Sequence, residues 1–217
     1  MEHLWCPLFK FSPASDPWQF EMFHFKSQGF KGYMFKSIIM LQFLFLFQFL
    51  LMASCSSYQA VSDLDIPKYL GTWYQVYYDD FDKLFQNGKC STAEYSMGEN
   101  NIVQVLNKEL DKDDKPQSIS GIAYYKEGDS GGYLTVKLEN NIPAPYWVLQ
   151  LGPIISNSYQ YSIVSDDKGI SLFVLARNVD DFYKKYNEDV LQFINDSGFD
   201  KKWNSPKMVN QTNCAYF

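Results

Sequence analysis

From Tyr69 onward, apolar and polar positions fall into short runs rich in aromatic and β-branched residues. They predict strands over 69–78, 91–97, 102–110, 118–125, 133–138, 146–151, 159–165 and 170–176. Turn-forming stretches divide them: Gln86-Asn87-Gly88, Gly98 to Asn101, Asp111 to Asp114, Gly128 to Gly132, Asn140 to Pro145 and Asp166 to Gly169. Eight short runs on short connections predict an all-β, antiparallel up-and-down meander. Closing such a sheet removes its exposed edges, and eight strands leave room inside for one small ligand. The period then changes. Phe182, Tyr186, Val190, Phe193 and Ile194 share one face of a helix over 179–197. Asp180 and Asp181 suit the start of that helix, and Gly198 suits its end.

A different pattern precedes this body. Residues 1–55 hold 11 of the 18 Phe, both His and two of the four Cys. Within them, 37–53 is an apolar run behind Lys36, followed by small and polar residues through Ser57. A basic residue, an apolar run and a small-residue exit describe a secretory signal peptide, here 34–55. The run is about 16 residues and carries Gln42 and Gln48, short of the roughly 20 that span a bilayer. A signal sequence begins near an N-terminus, so Met34 is read as the start and 1–33 as an extension upstream of it. A translated extension of no clear structure is the alternative. Met52-Ala53-Ser54-Cys55 approaches a lipoprotein signal, which makes Cys55 a candidate for lipidation and a membrane tether. The body is 56–217.

Composition narrows the chemistry. The body has no histidine, which removes Ser-His-Asp and Cys-His catalysis and histidine metal or haem sites. No metal or cofactor is expected. Its 15 basic residues against 22 acidic ones give −7, and Arg177 is the one arginine in the chain. Such a surface binds phosphate backbones poorly, so nucleic acid is not an expected partner.

The segment Asp65-Ile66-Pro67-Lys68-Tyr69-Leu70-Gly71-Thr72-Trp73-Tyr74 resembles the first signature of the lipocalins, and Ser171 to Asn178, with Arg177, resembles their last-strand signature. Between and beyond them, Phe85 to Cys90, Val105 to Leu110, Ala144 to Leu149 and Asn210 to Cys214 are similar to the apolipoprotein D-like branch, which includes bacterial outer-membrane lipocalins. The resemblance covers about 61–216 and implies an eight-stranded up-and-down barrel with one C-terminal α-helix packed outside it. It implies that Gly71, Trp73 and Arg177 form a plug at the closed end, the guanidinium lying over the indole. A planar, permanently charged group stacks there as lysine does not. It implies a disulfide between Cys90 and Cys214. The branch's second disulfide has no cysteines here.

The resemblance also implies a cup for a small hydrophobic ligand. With Trp73 and Arg177 inward, alternation turns Gln75, Tyr77, Ser171, Phe173 and Leu175 inward. Further expected linings are Tyr95, Val103, Val105, Tyr124, Leu134 and Val136, then Trp147, Leu149, Tyr161 and Ile163. Fatty acids, lysophospholipids and sterol- or isoprenoid-like molecules all suit an aromatic-lined cup with a few hydroxyls. Asn195 and Asn210 begin N-glycosylation sequons. The expected protein is a monomeric, secreted or otherwise extracytoplasmic carrier, not an enzyme. Two alternatives stand beside it: a lipid-modifying enzyme with Cys90 as a free pocket thiol, and a tethered interaction protein.

Overall fold

A computed structural model describes residues 58–81, 88–139 and 141–217. The extension, the signal segment and Cys55 lie outside the described residues. A short helix, α1 (Ile66–Tyr69), comes first. Asp65 caps its start by accepting from the Lys68 backbone N–H, and Pro67 sits in its first turn. The expectation of a strand from residue 69 is therefore corrected: cap and proline place Tyr69 in the helix.

The strands follow as β1 (Gly71–Tyr78), β2 (Lys89–Met97), β3 (Val103–Leu110), β4 (Pro116–Tyr124), β5 (Tyr133–Leu138) and β6 (Ala144–Leu151). After them come a small hairpin, β7 (Ile154–Ile155) with β8 (Ser158–Tyr159), then β9 (Tyr161–Ser165) and β10 (Leu172–Ala176). Antiparallel pairing runs β1-β2-β3-β4-β5-β6-β9-β10, and β10 pairs back to β1. Among the described residues, eight strands thus close an antiparallel barrel.

The predicted single helix is two: α2 (Val179–Lys185) and α3 (Asn187–Asp196). Tyr186 leaves the helical region at φ −125°, ψ −15°. Two anchors fix the bend: its ring packs on Tyr161, 5.4 Å between centroids, and the Tyr77 hydroxyl donates to Asn187 Oδ1 at 2.7 Å. Both helices keep the predicted face, with Phe182, Val190 and Ile194 buried.

Apolar side chains gather in two places. One cluster fills the closed end of the barrel around Tyr69, Trp73, Tyr95, Val105 and Leu175. The other lies between the barrel wall and the helices, around Val76, Tyr161, Ile163, Val174, Phe182 and Ile194. Strands β1, β9 and β10 are thus covered on both faces.

A last strand, β11 (Lys207–Met208), pairs with β1, and the tail beyond it seals a seam. Pairing of β1 with β2 ends at Tyr74–Thr92. Beyond that point Gln211 Nε2 donates to the carbonyls of both Gln75 and Ser91, at 2.8 Å each. The Cys90 N–H donates to the Asn210 carbonyl at 2.9 Å, and Cys90 and Cys214 are joined by a disulfide across 124 residues of sequence.

Candidate ligand-binding site

The barrel holds an open cavity of about 530 Å³. Its closed end is built from α1, the start of β1 and the end of β10. Gly71 stands at φ +96°, and a Cβ there would come within 3.3 Å of Arg177 Nη1. A left-handed backbone and a close guanidinium both require glycine. The Arg177 guanidinium lies 3.7 Å from the centre of the Trp73 ring system. It donates to the carbonyls of Lys68, Tyr69 and Leu70 at the end of α1, and to those of Thr72 and Tyr159. A cation at the C-terminal end of a short helix satisfies carbonyls that have no partner within it. The indole N–H donates back to the Tyr69 carbonyl at 2.8 Å. Burial pulls the Arg177 pKa down to about 10, so it remains a cation at neutral pH.

Just above the plug, four hydroxyls form a chain. Tyr95 and Tyr146 meet at 3.0 Å, Tyr146 and Tyr69 at 3.0 Å, and Tyr69 and Ser162 Oγ at 2.8 Å. Burial pushes the Tyr69 hydroxyl up to about 12, against its bonds to Ser162 and Tyr146 and the nearby Arg177 charge. Burial also raises Tyr95 and Tyr146. The folded state holds these protons more tightly than an unfolded chain, whose tyrosines ionise near 10. Their contribution to stability is therefore intact below pH 10 and is lost as pH climbs through about 12. Alkaline titration followed by phenolate absorbance should show the exposed tyrosines ionising first, and this group only together with loss of the fold. Early ionisation of all sixteen tyrosines would contradict the buried chain.

Above the hydroxyls the walls are apolar. Tyr95, Val103, Val105, Leu134, Val136 and Phe173 line the cavity, as do Gln75, Ser171 and Leu175. The remaining expected linings do not. Tyr77 faces the helices, its ring packed edge-on against Phe182 and Tyr183. The cause is a bulge: Gln75 pairs with Leu175 but Tyr77 with Val174, so Val76 is an extra residue and alternation breaks. Trp147, Leu149, Tyr161 and Ile163 also pack outside, the neighbouring Tyr146, Val148, Ser162 and Val164 taking the inner side. Tyr124 turns outward because Ala123 takes the inner position of β4.

Sequence reasoning missed the floor and the mid-wall polar groups. Ile66, Tyr69 and Leu70 reach the cavity from α1, while Tyr146, Asn107 and Thr92 do so from strands. For Tyr146 the signal was ambiguous, since Tyr146/Val148 and Trp147/Leu149 are equally apolar. For Tyr69, the Asp65-x-Pro67 helix start was the available signal. Phe81, Ile142 and Asp166 stand toward the mouth. Among the described residues, no group of three or more His, Cys, Asp or Glu is placed to hold a metal ion. Because Cys90 is bridged to Cys214, the enzymatic alternative has lost its pocket thiol.

A family model described as the lipocalin-like domain matches residues 64–204. The chain is a lipocalin. Mouse (Mus musculus) apolipoprotein D is 34% identical over 99 residues, 45% of this chain and 51% of that protein. The chain thus spans about half the length of the apolipoprotein D relatives it matches. The outer membrane lipoprotein Blc of Vibrio cholerae is 31% identical over 123 residues, 56% of this lipocalin and 69% of that protein. Among solved structures, apocrustacyanin C2 superposes with a TM-score of 0.50 at 21% identity, covering 69% of this chain and 81% of its own. That likeness concerns the fold alone.

Proposed function

We propose that this lipocalin binds and carries a small hydrophobic molecule in its barrel, outside the cytoplasm. The observation that carries the reading is the open, apolar cavity of about 530 Å³ above a satisfied plug. Burying about 300 Å² of guest at about 25 cal/mol per Å² supplies about 7 kcal/mol before association costs. Micromolar binding follows, with no catalytic group required. The cysteine bridge suits an oxidising compartment, and the relatives named for apolipoprotein and outer-membrane lipoprotein roles agree with an extracytoplasmic site. Asn195 and Asn210 are both exposed, as carriers of N-linked glycan would be. A closed barrel leaves no edge strand among its eight for a second copy to pair with, which supports a monomeric working form.

The test is titration with a fluorescent hydrophobic probe, read by its own emission and by tryptophan quenching. Saturable one-to-one binding is expected. Ala123 faces the base of the cavity beside Val103 and Val136. Ala123→Trp should fill that base and weaken binding by about thirtyfold while the chain still folds. Undiminished binding to a folded Ala123→Trp protein would put the guest elsewhere.

A further inference from the structure

Resting on that reading, we infer that the cavity selects uncharged amphiphiles, with a hydroxyl or carbonyl at one end, over fatty-acid anions of the same length. Among the described residues no lysine, arginine or histidine lines it, and the one charged group that does is the Asp166 carboxylate. That carboxylate is fixed at the mouth by the N–H groups of Lys168, Ile170 and Ser171 and by the Ser171 hydroxyl. The guanidinium near the base offers no counter-ion: it lies against the indole and is directed at five backbone carbonyls. A carboxylate drawn inside would lose its water without gaining a cation, which is costly at any depth.

The approach is also acidic. In the loops at the mouth the described residues 79–81, 111–115, 139, 141–143 and 166–171 carry seven carboxylates at least partly open to solvent against three lysines, Asp79 being fully buried. Two flanking lysines, Lys89 and Lys207, are paired with Asp114 and Asp80. An anion therefore meets repulsion before it meets the pocket.

What the interior offers is neutral hydrogen bonding. Four hydroxyls joined by three contacts use three of their four hydrogens, whichever way the chain runs. One donor is left over, and when the chain runs from Ser162 toward Tyr95 it is the Tyr95 hydroxyl, which lines the cavity and suits a ligand oxygen. Halfway up the wall Asn107 lines the cavity, and its Oδ1 has no hydrogen-bond partner. A small turn of that amide would meet a hydroxyl on a guest. Uncharged long-chain alcohols, their esters and sterol-like alcohols match this set.

Oleyl alcohol and oleate share one chain and differ at the head, so displacement of a bound fluorescent probe by each, at mildly alkaline pH, separates charge from length. The alcohol should compete at least about tenfold more tightly. Ile119→Lys, which places a cation in the lining, should strengthen oleate severalfold without strengthening the alcohol. Tyr95→Phe should weaken the alcohol about fivefold and leave an unsubstituted hydrocarbon of the same length unchanged. Oleate competing as well as the alcohol would overturn the selectivity while leaving the cavity as the binding site. Failure of both to displace the probe would overturn the cavity reading and this inference with it.

Discussion

Arg177→Ala should cost about 3–4 kcal/mol of folding free energy, among the larger effects of any single substitution in this lipocalin. The guanidinium supplies donors to five carbonyls and the charge above the Trp73 ring. Without it, the end of α1 loses its partners and the indole loses its cover. Arg177→Lys keeps the charge but has no planar fork, and should restore less than half of the loss. Urea or thermal unfolding followed by circular dichroism measures both, with a drop of about 10 °C expected for the alanine variant. A change within about 2 °C would show that the plug is not held this way.

Removal of the disulfide should have an effect of similar size. Cys90 and Cys214 close a loop of 124 residues, for which chain entropy alone gives at most about 5 kcal/mol. Their loss also frees the tail that carries Gln211 across the β1–β2 seam. The double variant Cys90→Ser/Cys214→Ser should unfold about 3–5 kcal/mol more easily. Reductant should shift the parent by the same amount and leave the double variant where it was. A parent insensitive to reductant would mean that the bridge contributes nothing to stability.

The sequence patterns carried the barrel well and its inner surface only in part. The six turn-forming stretches marked barrel-strand boundaries to within a few residues, because glycine, asparagine and aspartate clusters have few other uses, but the β7–β8 hairpin, which splits the expected strand over 159–165, and the short β11 were missed. Inward and outward positions were legible on β3, where Val103 and Val105 alternate with polar Gln104. On β6 and β9 they were not, since the helices cover the outer wall and both faces are apolar. The Val76 bulge is invisible to alternation by its nature: an inserted residue changes no composition. The floor depended on four hydroxyls and a guanidinium converging from α1, β2, β6, β9 and the end of β10. No local pattern encodes such a convergence, although the lipocalin resemblance did imply the Trp73–Arg177 pair.

The late position of the tail in the chain bears on how the molecule assembles. The stitch between the first two strands is made by residues that leave the ribosome after all eight staves of the barrel. A nascent chain therefore holds an unsewn slit beside its cavity until Gln211 and Cys214 emerge.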